Sequence, residues 1–220
     1  MKLLSRRPVR EEWRASGFCP FISYIRCMVD NKPSLFSPSG LPEGFHYQDE
    51  VLSPDQERTL VEEFAPLPFR EFEFRGFLGK RRTVSFGWRY DFNVRELREA
   101  EEFPTFLLDL RQKAASFAGL ADGQLQHILV TEYSPGSAIG WHRDRDEFND
   151  VIGISLLAPC VFRFRRKAGQ RWERVSRELQ PRSAYLLRGV AREVWQHSIP
   201  PVDMLRYSVT FRSLRESKER

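Results

Sequence analysis

Four histidines occur in the chain, and one of them is closely followed by a carboxylate. In the stretch Gly140-Trp141-His142-Arg143-Asp144, His142 and Asp144 are two residues apart. Alternate residues of an extended segment share a face, so this imidazole and this carboxylate converge on one point. His46, in a loop-like segment, and His127, inside a strand pattern, are interpreted as structural.

His197 offers a third group for the same point. It lies in a late strand pattern, residues 194–199, and a jelly roll brings early and late strands side by side. Two histidines and one Asp or Glu form the facial triad of non-haem Fe(II) enzymes, which leaves open positions on the metal for substrate and oxygen. We therefore predict that the metal ligands and the catalytic centre are His142, Asp144 and His197.

A strand near the C-terminus carries arginines on one face. Strict alternation through residues 206–212 separates apolar residues from a polar face, which consists of Arg206, Ser208, Thr210 and Arg212. Arginines that point inward require carboxylate partners, which a dicarboxylic acid supplies. The two arginines are about 20 Å apart along a straight strand. Both therefore reach one small acid only if they lean together or if the strand bends.

Together these motifs resemble those of the AlkB family of Fe(II)/2-oxoglutarate dioxygenases. The similarity covers about residues 42–214 and rests on His142-x-Asp144, His197, Arg206-x5-Arg212 and the preceding Tyr133-Ser134-Pro135-Gly136. The resemblance implies a double-stranded β-helix in which the three ligands named above hold iron. It also implies 2-oxoglutarate as the cosubstrate, used together with O2.

The resemblance further implies which residues bind the cosubstrate. Arg206, Ser208 and Tyr133 are expected at the distal carboxylate of 2-oxoglutarate, and Arg212 at its iron-side carboxylate. Many family members have Asn two residues before the tyrosine and again two residues after the first arginine, where this chain has Thr131 and Ser208. A hydroxyl still hydrogen-bonds a carboxylate, so we expect weaker or rearranged cosubstrate contacts.

Three residues are predicted to contact the substrate. Asp146 continues the alternation of His142 and Asp144, and the family often uses an acid there to contact the target base; a solvated acid at a strand end is the alternative. Trp88 and Tyr90 resemble the family's nucleotide-recognition segment, in which an aromatic ring stacks on an extruded base. Core packing for Trp88 and a buried hydroxyl for Tyr90 are the alternatives.

Positive charge is concentrated in one stretch of the chain. The whole chain has a net charge of +5, whereas residues 161–182 alone contain eight Lys or Arg and two Glu, an excess of six. This stretch reads as a hairpin that meets a phosphate backbone, or as a solvent-facing edge that charge protects against aggregation.

The elements that must position these residues follow from periodicity. Ser53-Pro54-Asp55-Gln56 predicts the start of a short helix, and apolar residues between 103 and 117 predict a second helix, which Gly119 ends. From residue 124 onward the predicted strands are residues 124–133, 151–157, 161–165, 172–178, 184–187, 194–199 and 206–212. This order predicts an α+β fold, a double-stranded β-helix (jelly roll) with N-terminal flanking helices.

The length of 220 residues fits one domain of ordinary size. We expect a poorly ordered arm over residues 1–41, a dioxygenase domain over 42–214 and a charged tail over 215–220. Met28 would serve equally well as a start, so we expect the first 27 residues to be dispensable.

Composition favours an intracellular protein. Three cysteines without a Cys-x-x-Cys pair favour a reducing compartment, and the sequence lacks a run of about 18 apolar residues that would span a membrane. The basic first residues are followed by a segment broken by charges, which argues against a secretory signal. We expect a cytoplasmic monomer that binds nucleic acid.

The predicted function is oxidative dealkylation of alkylated nucleic-acid bases, which directly repairs DNA or RNA. A dioxygenase that acts on a modified tRNA base or on a protein side chain is an alternative, because one fold hosts many substrates. A non-catalytic nucleic-acid-binding jelly roll is a further alternative. The presence of all five metal and arginine positions weighs against it.

Overall fold

A computed structural model describes residues 40–74, 77–91, 96–99, 102–121 and 123–215. Side chains are described for all of these except residues 73, 74, 77, 78, 89–91 and 96–99. The predicted arm and the predicted tail lie outside the described residues, apart from residues 40, 41 and 215.

Both predicted helices are present. Helix α1, Pro54–Phe64, begins with a capping box in which Ser53 Oγ accepts from the Gln56 amide at 3.1 Å and Gln56 Oε1 accepts from the Ser53 amide at 3.0 Å. Helix α2, Leu108–Ala118, follows a 3-10 turn at Thr105–Leu107 and ends at Gly119, whose φ of 63° is the left-handed conformation that glycine favours.

A third helix, α3, spans Gly189–Glu193 and was not predicted. It shortens the predicted strand 194–199, which begins only at Gln196. In the part of the chain that the structure describes, no helix is long and apolar enough to cross a membrane.

Within the described residues, twelve strands form two sheets. They are β1 Phe45–Gln48, β2 Arg70–Phe74, β3 Phe77–Asp91, β4 Glu96–Glu99, β5 Leu125–Tyr133, β6 Ile139–His142, β7 Phe148–Leu156, β8 Cys160–Ala168, β9 Arg171–Leu179, β10 Ser183–Leu187, β11 Gln196–Ile199 and β12 Arg206–Leu214. The large sheet has the order β1-β10-β7-β12-β5-β3-β2, with β4 paired to β3, and the small sheet has the order β6-β11-β8-β9. The predicted jelly roll is confirmed.

The predicted order, helices first and strands afterwards, is wrong. Strands β1 to β4 all precede residue 124 and alternate with α1 and α2. His46 therefore lies in a strand rather than in a loop, and its Cα partner is Leu186 of β10. Short runs such as Phe45–Gln48 become strands because a longer central strand offers them a pairing edge, which local periodicity does not show.

Two apolar clusters lie on opposite faces of the large sheet. Helices α1 and α2 pack on one face through residues such as Phe64, Leu110 and Phe211. The second cluster fills the space between the two sheets and includes Phe162 and Tyr185. Polar residues of β12 alternate onto this second face, so the interior between the sheets is where a site can form.

Candidate active site

The three predicted metal ligands come together between the sheets. His142 ends β6 and is the Cα partner of His197 on β11, and Asp144 follows β6 by two residues. The ligand atoms of the three residues lie within 4.8 Å of one another, and Asp144 Oδ2 is 3.4 Å from His197 Nε2. Neighbouring ligands around one ion with bonds of about 2.1 Å are about 3 Å apart, so the cluster has the size of a single-metal site.

Hydrogen bonds orient two of the ligands. His142 Nδ1 lies 2.9 Å from the Gly140 carbonyl oxygen and donates to it, which leaves Nε2 for a metal. Arg212 donates to Asp144 Oδ1 from both Nε and Nη2, each at 2.8 Å, which leaves Oδ2 for the metal. Arg212 therefore acts on the metal site by fixing the orientation of Asp144.

The environment keeps Asp144 and His197 in the protonation states that metal binding requires. Burial raises the pKa of Asp144, but Arg212 and the two histidines outweigh burial and hold this pKa below its usual range. Burial, followed by the neighbouring His142, lowers the pKa of His197 to about 3. An ionised carboxylate and a neutral imidazole are the forms that bind a metal ion.

His127 supports the same arrangement from β5, although the sequence indicated only a structural role. Arg212 Nη1 donates to its Nδ1 at 3.2 Å. Burial, and next to it the charge of Arg212, keeps the pKa of His127 well below its usual value of 6.5. The ring is neutral and accepts a hydrogen bond at Nδ1, so it helps to hold the guanidinium that orients Asp144.

Arg206 is a buried cation with unused donors. Its side chain is 1% exposed, Nη2 donates to Ser155 Oγ at 3.1 Å, and the guanidinium carbon lies 4.8 Å from the centre of the Tyr133 ring. Nε and Nη1 are buried and have no hydrogen-bond partner among the described residues. A buried guanidinium with two unpaired donors is costly, and a carboxylate is the group that satisfies it. The donors present thus fit a carboxylate-bearing cosubstrate.

A row of hydroxyl side chains lies beside Arg206. Ser208 of β12 is the Cα partner of Thr131 on β5 and of Ser155 on β7, and all three residues are buried. Tyr133, two residues after Thr131, is the Cα partner of Arg206. The structure therefore brings Arg206, Ser208, Tyr133 and Thr131 together on adjacent strands, with Arg212 six residues further along β12 beside the metal ligands.

Tyr185 of β10 is a site residue that the sequence did not indicate. Its ring occupies the space above Gly153, where an added Cβ would lie 2.2 Å from Cε1 of the tyrosine. Burial is the main cause that raises the pKa of the Tyr185 hydroxyl, and Tyr133 and Asp144 raise it further. Arg206 and Arg212 act in the opposite direction and lower this pKa in part. Tyr185 is therefore a neutral phenol that interacts electrostatically with Asp144 and with both arginines of β12. A glycine inside a strand marks such a close approach, and Gly153 was the available signal.

Of the three predicted substrate contacts, the structure describes the side chains of Asp146 and Trp88. The alternation of His142 and Asp144 ends before Asp146, which is exposed in the turn between β6 and β7. Trp88 is 37% exposed on β3, one residue beyond Gly87, the Cα partner of His127. The backbone of Tyr90 pairs with Leu97 of β4, but its side chain lies outside the described residues.

Comparison with known proteins gives a consistent result. A sequence model of the 2OG-Fe(II) oxygenase superfamily matches residues 44–212. The "Alkylated DNA repair protein ALKBH8 homolog" of Arabidopsis thaliana is 29% identical over 164 residues, which cover 63% of this chain and 47% of that relative. The "Alpha-ketoglutarate-dependent dioxygenase AlkB" of Escherichia coli is 28% identical over 120 residues, 50% of this chain and 55% of that relative.

A third relative and a solved structure extend the comparison. The Xenopus tropicalis "tRNA (carboxymethyluridine(34)-5-O)-methyltransferase alkbh8" is 26% identical over 186 residues, 82% of this chain but 28% of that relative. The chain thus spans between 28% and 55% of the length of these three relatives. A solved structure described as "The structure of OsALKBH1" superposes with a TM-score of 0.57 over 79% of this chain and 97% of its own, at 16% identity, and shares the fold.

Fold, triad and buried arginine together define a non-haem iron oxygenase that uses a keto acid. The chain belongs to the 2OG-Fe(II) oxygenase superfamily, and it is similar to proteins named AlkB and ALKBH8. Its residues 44–212 are therefore a 2-oxoglutarate- and Fe(II)-dependent oxygenase domain, which confirms the predicted enzyme class, cofactor and cosubstrate.

Proposed function

We propose that the protein removes alkyl groups oxidatively from nucleic-acid bases. The observation that carries this proposal is the joint presence, between the two sheets, of the His142-Asp144-His197 cluster and of Arg206 with its unpaired buried donors. The substrate class follows from relatives named for alkylated DNA repair and for AlkB, and from the basic stretch at residues 161–182.

Each residue has a distinct part in this proposal. His142 Nε2, Asp144 Oδ2 and His197 Nε2 hold the metal, and Arg212 keeps Oδ1 of Asp144 away from it. Arg206 binds the distal carboxylate of 2-oxoglutarate, assisted by Ser208, Thr131 and the Tyr133 ring. Because Arg212 is paired with Asp144, the dicarboxylate has to reach from the metal to Arg206 and not from one arginine to the other.

The reaction needs little from the base itself. Fe(II) and 2-oxoglutarate, when bound, supply the oxidation of an alkyl C–H bond by O2. The hydroxylated carbon attached to nitrogen is a hemiaminal, in which the C–N bond breaks while the hydroxyl proton is lost and nitrogen regains a proton. For a methyl group the products are formaldehyde and the restored base. The apolar residues around the site, such as Phe162, keep bulk water out of it.

A second candidate is oxidation of a modified base in tRNA. The observation that favours it is the similarity to relatives whose names contain tRNA carboxymethyluridine methyltransferase, of which this chain covers 25–28%. Those names describe whole proteins that are much longer than this chain, so only the oxygenase part is comparable.

Product analysis across substrate classes tests the proposal. The full chain with Fe(II), 2-oxoglutarate and O2 is incubated with methylated DNA, methylated RNA, tRNA and methylated peptides, and succinate and formaldehyde are both measured. We expect formaldehyde in proportion to succinate from a methylated nucleic acid, and no formaldehyde from His142→Ala. Formaldehyde from peptides alone would refute the nucleic-acid substrate, and an oxidised tRNA base without formaldehyde would support the second candidate.

Further properties of the chain follow from the sequence. We propose residues 42–214 as the catalytic domain and Asp146, Trp88 and Tyr90 as substrate contacts. We propose a reducing, cytoplasmic location because three cysteines are too few for a disulfide framework. We also propose that the chain is a monomer. Size-exclusion chromatography under reducing conditions tests the monomer. Elution at the mass of a dimer would contradict it.

A further inference from the structure

The outer face of the small sheet carries cations and indole rings. Phe162, Phe164 and His197 point inward and are buried, so the alternate residues of β6, β8, β9 and β11 point away from the metal site. We define the Trp–Arg face as the outward residues Trp141, Arg163, Arg165, Lys167, Trp172 and Arg174. Trp172 is 36% exposed and Arg174 is exposed, so this face is accessible.

Only part of the basic stretch at residues 161–182 contributes to this face. Arg166 pairs with Glu173 at 2.7 Å, Arg177 lies 4.3 Å from the centre of the Tyr47 ring, and Arg182 pairs with Glu57 at 3.3 Å. These three cations are engaged elsewhere. One acid, Glu178, lies among the outward residues of β8 and β9 together with the remaining cations. It is the Cα partner of Val161, at the end of the strands far from the hairpin turn. The face is therefore positive near the turn.

Two arginines of the face are held in place with their outer donors available. Arg165 lies between two indoles, 4.5 Å from the Trp141 ring centre and 4.4 Å from that of Trp172, and its Nε donates to Gln196 Oε1 at 2.8 Å. Arg163 lies 5.1 Å from Trp141, and its Nε donates to Ser198 Oγ at 3.0 Å. Both hydrogen bonds use Nε, so the terminal nitrogens remain for a ligand. Stacked, pre-ordered guanidinium groups lose little entropy on binding a phosphate.

The face adjoins the metal site through one strand. Trp141 directly precedes His142, and β6 is the edge strand of the small sheet. From that edge to β9, the face extends over four strands, which is about 14 Å at ordinary strand spacing. A polymer bound on the face can therefore pass around the β6 edge to the metal site.

We propose that the Trp–Arg face binds a nucleic-acid strand with unpaired bases, next to the nucleotide that enters the active site. This proposal rests on the proposed nucleic-acid substrate and adds where the flanking strand lies. Phosphates contact Arg163, Arg165 and their neighbouring cations, because the face is positive and its guanidinium forks match phosphate geometry. An unpaired base stacks on the exposed ring of Trp172. A base that is paired in a duplex does not reach this ring.

Salt-dependent binding tests the cations. Fluorescence anisotropy of the full chain with labelled 12-nucleotide RNA and DNA of one sequence (about the site size of such proteins) is measured over a series of salt concentrations. The variant Arg163→Gln/Arg165→Gln is compared with Arg58→Gln/Lys113→Gln, which makes the same charge change on α1 and α2. We expect the face variant to flatten the slope of log affinity against log salt by about 1.4, that is about 0.7 for each lost phosphate contact, and the control to retain it.

Trp172→Ala tests the stacking separately. We expect it to weaken single-strand binding about fivefold or more without changing the salt slope, and to leave duplex binding unchanged. A larger loss of affinity for RNA than for DNA would show that the face prefers RNA. Equal losses would show that it binds single strands of RNA and DNA alike. Thermal denaturation of each variant checks that it is folded.

The outcomes separate this proposal from the proposed function. If the variants bind strands as tightly as the wild type and with the same salt slope, the face is a solvated surface and the proposal is overturned. If Trp172→Ala alters only the self-association of the chain, the face contacts a second copy, which also overturns it. Failure of the wild type to release formaldehyde from any nucleic acid would refute the proposed function, whereas anisotropy still measures binding by the face.

Discussion

Replacement of Arg206 by methionine separates a cosubstrate-binding role from a structural one. The guanidinium is buried, its Nε and Nη1 have no partner within the described ranges, and Ser155 Oγ is its one recorded hydrogen-bond partner. An apolar side chain of similar length removes an uncompensated charge, which is neutral or stabilising in a buried site. We expect the melting temperature of Arg206→Met without ligand to equal or exceed that of the wild type.

The effect on 2-oxoglutarate binding has the opposite sign. Two charge-assisted hydrogen bonds contribute about 3–5 kcal/mol together, which is a roughly 150- to 5,000-fold loss of affinity. At 100 times the wild-type Kd, ligand stabilises the wild type by about 2.7 kcal/mol and a variant with 100-fold weaker binding by about 0.4 kcal/mol. For a chain of this size these values correspond to rises in melting temperature of about 5–11 °C and about 1 °C.

The assay is thermal denaturation with and without 2-oxoglutarate, with Mn(II) replacing iron to prevent turnover. Arg82→Met is the matched control, because Arg82 donates to both carboxylate oxygens of Glu132 at 2.8 Å on the opposite face of the same sheet. It leaves Glu132 buried without its cation, so we expect a lower melting temperature and an unchanged response to 2-oxoglutarate. If Arg206→Met shows the response of Arg82→Met, Arg206 is a structural cation and the reasoning is wrong.

Three further changes test other parts of the site. Gly153→Ala places a Cβ against the Tyr185 ring and should destabilise by about 1–3 kcal/mol in urea denaturation, with Tyr185→Leu in the same chain relieving most of the loss. The pKa of His127 is well below 6.5 in the folded chain, so the stability that His127 contributes is present above pH 6.5 and is lost as the pH falls. The difference in unfolding free energy between the wild type and His127→Asn should therefore shrink on acidification. Alanine at His142, Asp144 or His197 should abolish succinate production while the melting temperature stays near that of the wild type. Near-normal succinate production by any of these variants would contradict the assignment of the metal ligands.

Local sequence signals predicted the elements that carry their own start and stop residues. Helix α1 has a complete capping box, α2 ends at a left-handed glycine, and strand β12 alternates polar and apolar residues clearly. Strands β1 to β4 and β6 escaped prediction; β1 and β6 have four residues each and depend on a partner strand distant in the chain. Helix α3 has five residues and no side-chain cap, so its periodicity is too short to read.

Site residues were predictable where chemistry restricts the residue type. His142, Asp144 and His197 could be found because few side chains bind Fe(II) and because the first two share one extended segment. Tyr185 and His127 escaped because a tyrosine or histidine in a strand is usually structural, and their roles depend on partners in β7 and β12. Asp146 stays a predicted substrate contact; it is exposed in a turn, where the alternation of a strand no longer fixes the direction of its side chain.

The distribution of charge between the sheets explains why a dianion fits the site. Of the two arginines on the inner face of β12, Arg212 is neutralised by Asp144, whereas Arg206 has no acid partner among the described residues. The two histidine ligands are neutral when they bind a metal, so a divalent ion adds charge that the protein leaves uncompensated. A monocarboxylate would satisfy either the metal or Arg206, but not both. 2-Oxoglutarate carries one carboxylate for each, so it satisfies the metal and Arg206 together while Arg212 stays paired with Asp144.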